Sequence, residues 1–264
     1  MHDEALIRLA FFFGVLAAVA IGEVAAPRRQ LTDSKARRWY TNLSLAAIDT
    51  AVVRLTLTVL PADMAVQARE HGWGFLNNVV LPPPAGIFLA FIALDLIIYL
   101  QHVLFHFLPV FWRLHRMHHT DLDIDVTTGN RFHPVEILLS AGIKLGAVAL
   151  LGAPVVAVVA FEVALNATSM FNHGNIRLPL TLDRWLRLVV VTPDMHRVHH
   201  SVILRETNSN FGFNLPWWDR LAGTYRPQPE GGHGGMTIGL KEFRDPALLT
   251  LSRLLVQPFA RKPA

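Results

Sequence analysis

The sequence predicts an all-α, multi-pass membrane protein. It should have about four to five hydrophobic helices, two of them forming a hairpin, and a histidine-rich helical cap on the cytoplasmic side. Three observations carry this expectation. The 264 residues are 52% hydrophobic, with a mean hydropathy of +0.35. Only 17% are charged, where soluble domains carry about a quarter. The apolar residues also gather into four long runs, and the segments between them alternate in basic content. The chain has no cysteine, which excludes disulfides, thiolate nucleophiles, cysteinyl zinc sites and all-cysteine iron–sulfur clusters. Its pI is near 9.8, yet the basic residues follow no aromatic platform or nucleic-acid motif.

The first run, ALIRLAFFFGVLAAVAIGEVAA, covers Ala5 to Ala26. Asp3 and Glu4 precede it where a signal peptide would be basic, so it reads as a retained span. PRRQLTDSKARRWY follows as a basic, cytoplasmic-style loop. The second run, Leu43 to Leu60, contains Asp49 and Arg54. Charges at that depth should face other helices, and these two are expected to pair. The connection from Pro61 to about Pro84 carries few charges and reads as the opposite side. LPPPAG then opens a third span, Ile87 to about Phe107. The fourth stretch, Ile137 to about Phe171, is too long for one helix. Gly152 and Pro154 interrupt it, which predicts a helical hairpin turning there. Beyond His173 the chain is mostly polar, with 12 Lys and Arg residues. EGGHGGM at 230–236 reads as a loop. The whole chain, 1–264, reads as one domain, with a core of about 38–225 and a tail over 226–264.

Nine of the 13 histidines fall into one pattern. His102 and His106 are four apart at the end of the third span, on one helical face that also holds Tyr99 and Asp95. His115, His118 and His119 form HRMHH, His173 closes the hairpin, and His196, His199 and His200 form HRVHH. On a helix, His115 can share an ion with His118 or with His119. His118 and His119 themselves diverge by about 100°, so one triplet can serve two ions. Two triplets and an HxxxH pair over-supply a single metal and suit a dinuclear site. Imidazole suits zinc, copper, iron and nickel, and spacing alone does not choose among them. A zinc-dependent membrane hydrolase and a divalent-metal transporter are the alternatives. The first lacks an HExxH helix, and the second would place its ligands near mid-bilayer rather than at span ends.

HVLFH at 102–106, HRMHH at 115–119 and HRVHH at 196–200 resemble, in order, the histidine boxes of the fatty acid hydroxylase and sterol desaturase superfamily, integral-membrane non-haem di-iron enzymes. DLIIYLQH, RFHPVE, FNHGNIRLP, TPDMHRVHHS and NFGFNLPWWDRLAGTY add to the resemblance, which runs from about Arg38 to Tyr225. It implies that His102, His106, His115, His118, His119, His196, His199 and His200 bind two irons, with His173 as a ninth ligand. Ser169 stands where related desaturases can place a further ligand, one turn before that histidine. His133, in RFHPVE, is counted with the metal candidates as a ligand or as a group behind one. His2, His71 and His233 read as ordinary loop residues.

The chemistry so implied is O2-dependent hydroxylation, or desaturation, of an unactivated C–H bond in a lipid drawn from the bilayer. One oxygen atom leaves as water, so two electrons must come from a separate reductase or electron carrier. Arg116, Arg197 and the basic tail are candidates to dock it. A ligand histidine donates its other N–H to an outer group. Asp95, Asp194, Glu136 and Asp219 are the candidates for that role, in that order, with Asp95 and Asp194 foremost. The sequence leaves the particular lipid and the oligomeric state open.

Overall fold

The computed structural model describes residues 2–260, which are helical apart from loops and two isolated backbone bridges. Seven helices build the body: α1 (His2–Ala25), α2 (Lys35–Thr56), α3 (Pro61–Glu70), α4 (Pro83–Phe107), α5 (Pro109–His119), α6 (Pro134–Leu151) and α7 (Val155–Asn172). Six short ones follow: α8 (Leu180–Leu186), α9 (Pro193–His199), α10 (Leu204–Thr207), α11 (Trp217–Ala222), α12 (Gly232–Gly235) and α13 (Leu251–Val256).

Five helical stretches are long and apolar enough to cross a membrane: Leu6–Ala25, Lys35–Asn78, Pro83–Phe107, Pro134–Leu151 and Val155–Asn172. The shortest has 18 residues, about 27 Å at 1.5 Å per residue, close to the thickness of a hydrocarbon core. No span buries more than a third of its most apolar window. Leu55, Phe88, Leu100, Leu150 and Val156 point outward, an arrangement suited to lipid and costly in water. Inside the bundle, Leu94 and Ile98 of α4 meet Val148 of α6 and Ala157, Val158 and Phe161 of α7.

The hairpin turns where glycine and proline interrupt the apolar run. Gly152 caps α6 at φ +65°, and Pro154 is the N-cap of α7. Glycine, with no Cβ, takes that φ without strain. The connection after α2 folds back onto this turn: α3 packs on α6 and α7. A Cβ on Gly74 would lie 2.0 Å from the Gly152 nitrogen. The connection therefore lies one helix length away from the start of α6.

Charges inside the spans find partners by a different route from the expected one. Asp49 and Arg54 do not pair: Arg54 is exposed, while Asp49 is buried with Oδ1 unpartnered among the described residues. They are five residues apart, which places them off one another's face of α2. Arg8 of α1 instead reaches Glu162 of α7 at 2.8 Å, and Lys144 of α6 reaches the same carboxylate at 2.9 Å.

At the other end, the Leu108–Pro109 break lets α5 turn away from α4, since Pro109 has no N–H to continue the helix. The following segment, 120–133, is almost entirely buried. Arg38, at the start of α2, pairs there with Asp121 at 2.7 Å and with Asp125. Burial alone would raise the Asp121 carboxyl, yet Arg38 and Arg131 hold it below the ordinary carboxylate range. Arg131 also donates to Asn42 and Thr120. The basic end of α2 thus becomes an internal clamp on the floor of the histidine cap.

Candidate metal centre

The structure brings nine histidines together, in two groups. His102, His106, His115, His119 and His199 form one; His118, His173, His196 and His200 form the other. Within each group the donor atoms lie within 4.8 Å of one another, and all nine residues are buried. The groups adjoin: the rings of His119 and His200 stack at 4.6 Å. Each triplet is split between them. His115 and His119 stay together while His118 crosses over; His196 and His200 stay together while His199 crosses over. The roughly 100° between adjacent helical positions produces both divisions.

Local sequence sets these donors. His102 and His106 occupy the last turns of α4. The first triplet ends α5. The second lies on α9 and, at His200, on its C-cap; α9 starts with Thr192 as N-cap and Pro193 in its first turn. His173 caps the end of α7.

The ring tautomers are fixed by what lies behind them. The Nδ1–H of His102 donates to the Phe211 carbonyl at 2.7 Å, that of His118 to Arg131 at 3.1 Å, and that of His173 to Ser169 at 2.6 Å. The Nδ1–H of His199 donates to the Ser209 carbonyl at 2.7 Å. Carbonyls only accept, so the proton sits on Nδ1 and each Nε2 presents a lone pair. His115 Nδ1 reaches Glu136 Oε1 at 2.6 Å.

These lone pairs face each other. His102 Nε2 is 3.0 Å from His115 Nε2 and 3.1 Å from His199 Nε2. His173 Nε2 lies 3.1 Å from His118, 3.1 Å from His196 and 3.2 Å from His200. Nε2 of His106 and of His119 is buried without a partner among the described residues. Converging lone pairs repel unless a cation lies between them. Two nitrogens at right angles on a metal, each at about 2.1 Å, stand ~3.0 Å apart, the separation seen. The residues fit metal ions on this ground.

Burial keeps the donors neutral. It pushes His115 and His173 down to about 3 and holds His118, His119, His196, His199 and His200 well below the ordinary imidazole value; neighbouring imidazoles add to the shift of those five. Aromatic rings wall the site. Phe132 stacks on His118 at 4.7 Å, Phe213 lies 4.9 Å from His102, and Trp112 lies 4.9 Å from His106.

Other predicted residues stand elsewhere. His133 belongs to neither group: its Nδ1 accepts from the Val135 amide as the N-cap of α6, and its Nε2 donates to Leu255. Asp95 accepts from Asn214 and Trp218 at 2.8 Å each, tying α4 to the 214–218 segment. Asp194 pairs with Arg28 and Arg197. Neither bonds to a ring of either group; Glu136 is the carboxylate that does. Asp219 acts one step back, accepting from the Phe211 and Gly212 amides and so placing the carbonyl that His102 meets. Asn210, at φ 52°, holds the same loop to Met195 and Arg226.

Arg116 and Arg197 are buried rather than displayed for docking. Arg116 donates to Gln257 and Arg197 to Gly174. His233, read as a loop residue, is buried 3.5 Å from Asp194. The carbonyl acceptors of Arg131, Ser169, Ser209 and Phe211 carried no sequence signal, because every residue has one. Spacing from the triplets could at most have marked RFHP and NSNF as neighbours.

A family model described as fatty acid hydroxylase matches residues 87–224. The ornithine lipid hydroxylase OlsE of Rhizobium tropici is 30% identical over 218 residues, covering 82% of this chain and 61% of its own. Alkylglycerol monooxygenase of Danio rerio is 31% identical over 156 residues, 59% of this chain and 34% of its own. The human alkylglycerol monooxygenase is 28% identical over 169 residues, 64% and 37% respectively. The chain thus spans less than two thirds of each relative's length. No solved structure matches it significantly.

Proposed function

This chain belongs to the fatty acid hydroxylase family, and from that premise we propose that it is a membrane-bound, di-iron lipid monooxygenase. The observation that carries the reading is the pair of adjoining, buried groups of neutral histidines with their lone pairs turned inward. Two iron ions held there would supply the activation of O2 for hydroxylating, or desaturating, an unactivated C–H bond. The protein's own contribution is placement. Backbone carbonyls and Glu136 hold the rings, and Phe132, Phe213 and Trp112 keep bulk water away. The substrate is a lipid reaching the site from the bilayer. Two relatives act on lipids by name, an ornithine lipid and alkylglycerols, which supports that class without choosing within it. Electrons come from a separate carrier protein. The excess of arginine and lysine in the 27–38 segment favours a cytoplasmic site.

The test is product formation by protein purified in mild detergent, loaded with iron and given a lipid extract, O2 and a reductant. His118→Ala and His199→Ala should each abolish the gain of one oxygen atom in the lipid while still inserting into membranes. Unchanged product from either variant defeats the assignment. Turnover with bound zinc and without iron defeats the oxygenase reading.

A further inference from the structure

We propose that residues 177–190 together with α11 form a second, non-spanning membrane contact. It lies in the headgroup layer, with arginine-lined pockets on its flanks that bind the phosphates of anionic phospholipids. The proposal rests on the chain being embedded in a bilayer and not on what it oxidises.

Asp183 of α8 is buried, and so is Arg187, the residue that caps the helix. Asp183 and Arg187 pair at 2.6 Å; Asp183 accepts from Thr192 at 2.6 Å, and Arg187 donates to Pro227 at 2.7 Å. The exposed residues are mostly apolar: Leu180 is 78% exposed and Trp185 65%, with Leu182, Leu188 and Val189 beside them, and Thr181 and Arg184 share that exposure. A water-facing helix shows the reverse pattern. α11 extends the same patch. Trp217 donates its indole N–H to the Leu188 carbonyl at 2.7 Å, Arg220 donates to the Arg187 carbonyl at 3.0 Å, and Leu221 is 79% exposed.

The chain places this patch at the bilayer surface. Just past the end of α7, Ile176 bridges Pro27 at the end of α1, and the Arg177 amide donates to Ala26 at 2.8 Å. Residue 177 therefore lies level with the ends of two spans. On the proposal the apolar patch follows on from the lipid-facing surface of those spans, as an interfacial amphipathic segment does.

Charge selects the lipid. One cavity of about 350 Å³ is lined by Arg28, Arg177, Leu180 and Asp194, and another of about 380 Å³ by Asp183, Arg184, Arg187, Arg220 and Tyr225. Asp194 and Asp183 occupy Arg28 and Arg187, which leaves Arg177, Arg184 and Arg220 for a phosphate. Apolar side chains and arginines brought together on one surface match the acyl chain and the phosphate of one lipid.

Because the chain lacks cysteine, single reporters can be placed at will. An environment-sensitive dye on Leu182→Cys, in full-length protein in nanodiscs, should be quenched by nitroxide-labelled lipid and severalfold less by aqueous iodide than a dye on Lys241→Cys. Equal iodide quenching at the two positions overturns the proposal. Phe88→Cys, on the outer face of α4, is the reference for the spans. If its dye also escapes lipid quenching, the embedding itself is wrong and the proposal falls with it. In discs mixing phosphatidylcholine and phosphatidylglycerol, the protein should co-purify enriched in phosphatidylglycerol. Arg177→Gln and Arg184→Gln should each cut that enrichment about fivefold. No enrichment, or enrichment untouched by both variants, overturns the headgroup assignment.

Discussion

The two histidine groups differ in number, in source and in what stands behind them. The first has five donors, two from α4, two from α5 and one from α9. The second has four: His118 from α5, His173 at the end of α7, and His196 and His200 at α9. A carboxylate, Glu136, backs the first, whereas the second has only carbonyls behind its oriented rings. The first group offers more donors to a cation, and the second would leave more of an ion's coordination open. A chelator should strip metal from the four-donor group first.

The sharpest way to break this contrast is to remove one hub at a time. His173→Ala takes away the ring that three others face, and His102→Ala takes away the one that two others face in the larger group. Each should halve the bound metal, measured by elemental analysis. If either removes all of it, the groups are one site and not two.

Acid should act on both groups together. His115 and His173 lie near 3 in the folded, metal-free protein, against about 6.5 unfolded. Between those values the unfolded chain binds more protons, so stability rises with pH and falls on acidification. The Tm of metal-free protein in detergent should drop steadily from pH 7 to pH 5. A flat profile would mean that the rings are not buried neutral.

A smaller effect separates the groups again. Glu136→Ala should weaken metal binding about 10- to 100-fold, at the five-donor group alone. Glu136→Gln keeps an acceptor for His115 and should retain most of the affinity. The smallest change is His133→Ala. It removes a helix cap worth about 1 kcal/mol and should leave both metals in place, as followed by thermal unfolding and metal content.

Much of the fold was legible because it rests on local pattern. Runs of apolar residues gave the spans, and Gly152 with Pro154 gave the hairpin turn. Helical spacing already divided His118 from His119. What escaped was pairing between distant segments. By sequence Asp95 is the foremost ring partner, because it shares a helical face with His102. Its carboxylate instead takes Asn214 and Trp218, 119 and 123 residues away. Glu136 is 21 residues beyond His115, and only the folding of α6 against α5 makes them neighbours. Arg116 and Arg197 looked like surface charge, since nothing local reveals that the tail and Asp194 cover them. The outward apolar face of α8 was hidden for a plainer reason: seven residues are too few for a period to show.

The crossing of the triplets also bears on the timing of synthesis. Both groups draw donors from α9, so neither is complete until residues 196–200 have left the ribosome. By then all five apolar helices are already made. A growing chain would therefore offer no finished site to a metal while its spans were still entering the membrane. Any metal the groups hold would be taken up by a chain whose apolar helices are already made, both groups being completed within the same few residues of growth.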